Sequence, residues 1–420
     1  MSDDARLPAL SHPNFRRYLI GTFTSNVGNM AQGMAVSWQV YEITNSVLMV
    51  GLLGAVRVAP LVLLSLFGGV IADQFDRRNV LLVTQSIMML SALAFAALTI
   101  SGQITVGWIY GLVAFAACAR SFDGPARQSL LVHLVPERHL PNAISLNGMG
   151  WRLSDVLGPI IAGTLIAQFS GFGISGLGWV YLLNGATFIV LLAVLLSLPP
   201  ASPFAHGEVR QKASVESTLR LIREGIDFVR KTPVVRSAML IDFWATFFSA
   251  ADALLPALAK DVLSLGPQGF GILMGSSGMG ALIAAATMAW IRPIQQQGLW
   301  VIRMVALYGL FTILLGVSNS LWVAVLCLAA TGAADMVSTV LRQTIRQLAT
   351  PNSMRGRMTA IGSIFQISGP QLGDFESGVV ASFTGVRFAI VVGGVCSLGI
   401  AALWMRGKDL RDYRFGDHAK

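Results

Sequence analysis

The sequence predicts an all-α polytopic membrane protein with twelve transmembrane helices, arranged as two parallel six-helix repeats. Composition, the spacing of apolar runs and an internal repeat lead to this fold class. Of the 420 residues, 54% are hydrophobic and only 12% are charged. Soluble globular domains carry roughly 25% charged residues. A chain this apolar is a membrane protein, whatever number of soluble domains its length would suggest.

Apolar runs of about the length that crosses a bilayer, roughly 20 residues, recur along the whole chain. The first run, after Arg17, is too long for the core of a cleaved signal peptide, so it is predicted to be span 1. The twelve predicted spans cover residues 18–41, 46–72, 80–100, 105–126, 142–168, 178–198, 236–258, 269–291, 299–317, 321–343, 358–382 and 387–405.

A polar linker divides the spans six and six. It contains a predicted basic amphipathic helix, which suits either the membrane surface or the cytoplasmic ends of the bundle. The apolar face of that helix carries Val215, Leu219, Ile222, Ile226 and Val229. The predicted domains are an N-terminal six-helix bundle (1–200), a cytoplasmic linker (201–235), a C-terminal six-helix bundle (236–406) and a cytoplasmic tail (407–420).

The distribution of Lys and Arg predicts the orientation. The connections on one side carry nearly all of the basic residues, whereas the other side has Lys260 and Arg387 and almost nothing else basic. Because basic loops stay in the cytoplasm, both termini are predicted to be cytoplasmic. The net charge of +9 is thus a topology signal, and no nucleic-acid partner is expected.

The two halves of the chain are related in sequence. A shift of 215 residues superimposes Arg127-Gln128 on Arg342-Gln343, and Pro136 on Pro351. The same shift brings Leu157-Gly158 onto Leu372-Gly373. These matches fall at equivalent ends of equivalent spans. A parallel repeat of six spans is a known transporter architecture.

Two motifs and one further segment carry a resemblance to a known family. The turn after span 2 matches the signature G-x-x-x-D-[RK]-x-G-[RK]-[RK] at Gly69, Asp73, Arg77 and Arg78, but has Gln74 and Asp76 at two of its positions. In span 5, Gly158, Pro159 and Gly163 resemble the antiporter motif G-P-x-x-G-G, with Ala162 replacing one glycine. The segment TPNSMRGR, residues 350–357, adds a third similarity.

These residues resemble the major facilitator superfamily, and most of all its enterobactin-exporter-like branch, which also contains drug exporters. The resemblance implies a central cavity and alternating access. It predicts an inner-membrane secondary transporter that exports siderophore-like or amphipathic drug-like molecules by proton antiport. A lysophospholipid or nutrient transporter and a non-transporting sensor remain alternatives. No enzyme activity, cofactor or metal site is expected. The expected partners are the substrate, protons and membrane lipid, and the protein is expected to be a monomer.

The resemblance also assigns roles to the motif residues. Gly69, Asp73, Arg77 and Arg78 would form a cytoplasmic gate together with Arg355 and Arg357, which begin span 11. The alternative for the two arginines of the turn is simple topology. Gly158, Pro159 and Gly163 would close the cytoplasmic end of the cavity, or would only form an ordinary kink where small residues pack.

Charged residues inside hydrophobic spans are costly and usually mark function. The predicted cavity cations are Arg57 and Arg152. No histidine lies in any predicted span, so any proton carrier must be a carboxylate. The candidates are Asp374, Glu376, Asp252, Asp335, Asp242 and Asp155.

Local sequence context ranks these candidates. Asp155 lies one turn from Arg152 and Asp335 two turns from Arg342, so both have a basic residue on their own helix face. Asp242 is expected near the cytoplasmic end of its span, where water reaches it. Asp374 and Glu376 cannot share a helix face, so at least one should point inward. The Asp374/Glu376 region ranks first and Asp252 second, because no basic residue lies within one turn of them.

Overall fold

The computed structural model describes residues 7–169, 175–200, 215–291, 294–351 and 354–416. Within these ranges, side chains are described except at 65–74, 215–222, 356–357 and 360. The described part of the chain is helical almost throughout, as the sequence predicts.

The first six predicted spans are continuous helices. Local polar side chains set several of their starts: Asp76 accepts hydrogen bonds from the amides of Arg78 and Asn79, and Thr105 and Ser175 cap later helices in the same way. The helices are α1 (Pro13–Thr44), α2 (Val47–Gln74), α3 (Arg77–Ile100), α4 (Val106–Leu134), α5 (Leu140–Gln168) and α6 (Gly176–Ser197).

The predicted amphipathic linker helix is present as α7 (Val215–Lys231). Span 7, predicted over 236–258, lies within the candidate membrane span Pro233–Val262, but its helix is interrupted. Helix α8 (Pro233–Ser249) ends early, and a 3-10 turn (Asp252–Leu254), the short α9 (Leu255–Ala257) and a π-helical turn (Leu258–Val262) follow. Pro256 contributes to the break because it has no amide hydrogen to donate to the Asp252 carbonyl, although prolines such as Pro60 and Pro370 lie inside continuous helices of the same chain.

The remaining predicted spans are again continuous helices. They are α10 (Pro267–Trp290), α11 (Gln297–Val317), α12 (Leu321–Leu348), α13 (Arg355–Thr384) and α14 (Val386–Arg406), and a short α15 (Lys408–Arg411) lies in the tail.

Eight helical segments in the described residues are long and apolar enough to cross a membrane by length and composition alone. They are α3, α6, α10, α11, α12, α14, the first part of α2, and the segment from α8 to Val262. The other long helices, α1, α4, α5 and α13, have 29 to 32 residues each. Their length is sufficient, and polar residues lower their hydropathy.

Packing divides the chain into two compact units. The first comprises Met1–Gln39 and Ala59–Val215, and the second comprises Val40–Val58 and Glu216–Lys420. The second unit therefore includes the end of α1 and the first part of α2. The domain limits that the sequence suggests stay a prediction.

In the first unit, α3 packs against α4 and α6, and α5 packs against α6. Phe15, Tyr18, Leu81 and Leu130 belong to a buried core at the start of α1. Gly158 lies so close to α1 that a Cβ there would approach Met30 Cβ to 2.5 Å. Gly158 of the antiporter-like motif therefore packs against α1, and its role in closing the cytoplasmic end of the cavity stays a prediction.

In the second unit, α12 packs against α10 and α11, and α14 packs against α11 and α8. Helices α10 and α12 approach so closely that a side chain at Gly280 would overlap the Ala329 carbonyl, and one at Gly332 the Ser277 carbonyl. Small residues permit such close crossings between membrane helices.

Candidate functional site

An inner cluster of charges surrounds Arg342, which is buried on α12. Its Nη2 atom lies 2.7 Å from Asp242 Oδ1 on α8 and 3.6 Å from Asp335 Oδ1 on its own helix. The guanidinium also donates to Ser338 Oγ at 3.0 Å and to Thr339 Oγ1 at 2.8 Å. The buried cation therefore has the partners that such a charge needs, and one of them links span 7 to span 10.

The position of Asp242 corrects one expectation. The sequence placed it near the end of its span with access to water, whereas its side chain is only 16% exposed and is bonded to Arg342. Asp335 fits its expectation of a weaker contact, since it lies farther from Arg342 and is 39% exposed.

Two small cavities flank Arg342, each of about 10 Å³. That volume admits about one water-sized group. The lining of the first includes Asp242, Arg342, Gln343, Arg346, Phe365 and Gln366. The lining of the second includes Thr246, Tyr308, Asp335, Ser338 and Arg342.

An outer cluster joins Arg57 of α2 to Asp252 and Asp374. Both carboxylates lie within electrostatic range of the Arg57 guanidinium. Asp374 is buried, and its Oδ1 accepts a hydrogen bond from the Ala253 amide at 3.2 Å. The break in span 7 frees that amide, so the interrupted helix and the carboxylate form one site.

Glycines bring α2 and α13 together at the outer cluster. A Cβ at Gly51 would come within 2.5 Å of the Asp374 carbonyl, and one at Gly54 would overlap the Gln371 carbonyl. From α13, Gly378 packs on Val47 and Gly51 in the same way. This close crossing places Arg57 beside an acid on a distant part of the sequence.

Arg152 and the acids Glu376, Asp155 and Asp252 are more exposed than Asp374. Glu376 is half-buried, away from the Asp374 contacts, as expected for residues two apart. Arg152 Nη1 lies 3.6 Å from Asp155 Oδ2, and both side chains are partly exposed. Asp252 is exposed, in contrast to Asp374.

The first unit holds a third charged cluster, which sequence reasoning did not select as a site. Arg127 Nε lies 2.5 Å from Asp123 Oδ2, four residues earlier on α4. Asp123 Oδ1 also accepts from Gln85 Nε2 at 2.5 Å, and Tyr18 shares a hydrogen bond with Arg127. The internal repeat, which superimposes Arg127 on Arg342, was the available signal.

The gate predicted from the turn after span 2 is described only in part. Arg77 Nη1 lies 2.9 Å from His133 Nε2, and Arg78 Nη2 donates to the Leu196 carbonyl at 2.9 Å. Arg355 is exposed at the start of α13. Gly69, Asp73 and Arg357 lie outside the described side chains.

A group of polar contacts at the C-terminal end of span 7 was not predicted from the sequence. The Tyr41 hydroxyl donates to Asp261, and Lys260 Nζ bonds to Asn45 Oδ1 at 3.3 Å while lying 5.7 Å from the Tyr41 ring centre. Lys260 is one of the few basic residues in the connections predicted to be periplasmic, and this rarity could have marked it. Within the described residues, no three His, Cys, Asp or Glu side chains cluster as a metal site would require.

Solved structures share the arrangement of helices seen in this chain. A bacterial homologue of the human lysosomal transporter Spinster, inward-facing and unoccupied, superimposes with a TM-score of 0.73 at 14% identity, covering 96% of this chain and 99% of that one. A transporter of the POT family gives 0.71 at 12% identity, covering 94% and 96%. At such identities the similarity shows the fold alone, which is that of major facilitator transporters.

Sequence comparison identifies the family within that class. The profile of the family described as "Transmembrane secretion effector" matches residues 5–417. The enterobactin exporter EntS of Salmonella typhi is 27% identical over 410 residues, which cover 96% of this chain and 94% of that protein. EntS of Shigella boydii serotype 18 is 28% identical over 397 residues, with 94% and 92% covered. The chain belongs to the transmembrane secretion effector family, and it is an export transporter of the major facilitator superfamily.

Proposed function

We propose that the protein exports siderophore-like or amphipathic drug-like molecules from the cytoplasm in exchange for protons. The relatives named as enterobactin exporters support the substrate class. The coupling mechanism rests on one observation, the buried carboxylate of Asp374 beside Arg57 and Asp252. The family fold supports alternating access of a central site to the two sides of the membrane.

Asp374 has the surroundings of a proton carrier. It is an acid buried within span 11, close to the Asp252 carboxylate and the Arg57 cation, whose charges oppose each other at this site. The balance between these opposing effects depends on how α2 and α13 pack at their glycine crossing. A change in that packing would therefore load or release a proton at Asp374, with Asp252 as the neighbouring acid.

The test is Asp374→Asn in purified full-length protein, reconstituted in proteoliposomes with enterobactin as the test substrate. We expect transport driven by a pH gradient to be lost, while exchange without a gradient continues, because the amide cannot carry the proton. Glu376→Gln, the same type of change two residues away, should retain gradient-driven transport. If Asp374→Asn retains gradient-driven transport, Asp374 is not the carrier. If the Asp252 and Glu376 amide variants retain it too, Asp335 is the next carrier to test.

We also propose that the protein is a monomer in the bacterial inner membrane, with both termini in the cytoplasm. The Lys and Arg distribution supports this orientation. Cysteine at Gln103, which is exposed between α3 and α4, should react with an impermeant thiol reagent applied from the periplasm. Gln103 is preferable to Gly102, whose φ of 70° strains other residues. Cysteine at Ser214 should not react, and the reverse pattern would contradict the orientation.

A further inference from the structure

The Arg346 guanidinium occupies an unusual position on α12, one turn after Arg342. It lies flat against α13 at Gly362, where a Cβ would overlap Arg346 Nη1. Glycine at 362 thus makes room for the guanidinium. An arginine that only obeys the topology rule extends into water, whereas this one folds back against the neighbouring helix and is half-buried.

The partners of Arg346 are incomplete. Its guanidinium makes no hydrogen bond or ion pair with any described residue, although it interacts electrostatically with Asp242. Asp242 is already bonded to Arg342 at 2.7 Å. Two cations thus share one adjacent carboxylate, and the planar N–H donors of Arg346 remain available for an oxygen anion.

The lining of the first cavity indicates what kind of anion would fit. Arg346, Arg342, the amide side chains of Gln343 and Gln366, and the Asp242 carboxylate line a space that admits one water-sized group. Asp242 is paired with Arg342, so the lining keeps one unbalanced positive charge, that of Arg346. Phe365 also lines it, and its ring lies 5.9 Å from that of Phe243 in an edge-to-face arrangement. The cavity therefore combines the N–H donors of two arginines with the aromatic ring of Phe365.

We propose that this cavity, centred on Arg346, is an anion subsite that binds the carboxylate or phenolate group of an aromatic substrate. One oxygen of the anion enters the cavity and accepts from Arg346, and the ring packs against Phe365. The subsite deepens the proposed export function and rests on it for its part in transport. Its binding chemistry can be measured without transport.

The test uses salicylate as the probe and isothermal titration calorimetry on the purified full chain in lipid nanodiscs. Wild-type protein should bind salicylate more tightly than salicylamide, the neutral analogue of nearly the same shape. Arg346→Gln should weaken salicylate binding about 10-fold to 100-fold, the range expected for a lost charged hydrogen bond. It should leave the weak binding of salicylamide nearly unchanged.

Gly362→Ala tests the same subsite without removing a charge. Its methyl group would displace the guanidinium, so salicylate binding should weaken while the protein stays folded, because a flexible side-chain end can move aside. Arg303→Gln is the matched control. Arg303 is exposed on α11, stacks on Trp300 at 5.7 Å and does not line the cavity. This variant should bind salicylate as wild type does.

Three results would overturn the subsite: no salicylate binding by wild type, equal affinity for salicylate and salicylamide, or unchanged salicylate binding in Arg346→Gln. Failure of the proposed coupling would be seen separately. Gradient-independent transport in wild-type proteoliposomes would contradict proton exchange and leave the salicylate result standing.

Discussion

Arg127 and Arg342 occupy the same position in the two sequence repeats, but their counter-charges differ. In the first unit, Arg127 bonds at 2.5 Å to Asp123, which lies on the same helix. In the second unit, Arg342 bonds at 2.7 Å to Asp242 on another helix, α8, and only at 3.6 Å to Asp335 on its own. The arginine is thus present in both repeats, but its carboxylate partner lies on the same helix in one and on a different helix in the other.

The difference separates a structural charge pair from one that can report movement. A pair four residues apart on one helix moves with that helix, so it survives any rearrangement between helices. A pair that crosses from α8 to α12 must stretch or break when those helices shift. We therefore expect the Arg127–Asp123 pair to contribute mainly to stability and the Arg342–Asp242 pair mainly to transport.

The largest expected effect is on stability, in Asp123→Asn. The change leaves the Arg127 guanidinium, whose side chain is 15% exposed, without its counter-charge. Removing one partner of a buried pair costs about 3–5 kcal/mol of stability. Thermal unfolding in detergent should show a clearly lower midpoint than wild type. Asp335→Asn is the control, because Arg342 keeps Asp242. Equal midpoints for Asp123→Asn and wild type would remove the structural role.

The contrast also explains which contacts could be predicted from the sequence. Asp155 and Arg152 are three residues apart, and helical periodicity alone brings them together. Asp242 and Arg342 meet only through the packing of α8 on α12, which periodicity within one span does not report. Arg57 likewise meets Asp374 because glycines let α2 and α13 cross closely, and no local pattern reveals that crossing.

The fold could be predicted further than the site because apolar length is a local property. The predicted span 80–100 corresponds to α3 (Arg77–Ile100), with the difference at its capped start. Span 7 is confirmed as a candidate membrane span, Pro233–Val262, but its helix is interrupted after Ser249, which hydropathy does not report. The interruption frees the Ala253 amide, which donates to Asp374 Oδ1. The part of span 7 that hydropathy missed is therefore part of the candidate site.

The second prediction sharpens the comparison through transport. Asp242→Asn removes the charge that links α8 to α12, and Asp335 remains 3.6 Å from Arg342 to keep the cation partly paired. We expect folding to persist and the transport rate to fall about 10-fold, as for about 1.4 kcal/mol of altered conformational balance. Rates should be measured in proteoliposomes and normalised to folded protein.

Asp335→Asn is the matched change for Asp242→Asn on the same arginine. Its effect should be smaller, because the shorter contact to Asp242 stays intact. If the two variants lose transport equally, the link between helices carries no special role. Asp242→Asn could instead unfold the protein while transport per folded molecule is unchanged. In that case the Arg127–Asp123 and Arg342–Asp242 pairs are both structural, and the two halves do not differ in role.

The smallest expected effect concerns a further asymmetry between the halves, at the turns that follow span 2 and span 8. The first turn carries Asp73 and Asp76, whereas the second has Arg292 and no acid. Asp76 already has a structural task, since its Oδ1 accepts from the Arg78 amide at 2.9 Å and caps α3. Asp73 is therefore the acid that we assign to the proposed cytoplasmic gate.

Asp73→Asn should reduce transport about 2-fold to 5-fold at normal expression, because the proposed gate pairs this carboxylate with a helix N-terminus, a contact worth about 0.3–1 kcal/mol. Asp76→Asn is the same chemical change three residues later. Asparagine caps helices nearly as well as aspartate, so this variant should transport like wild type. A wild-type rate in Asp73→Asn would remove Asp73 from the gate. Equal losses in both variants would show that the turn needs only its negative charge, and the asymmetry between the halves would then have no bearing on gating.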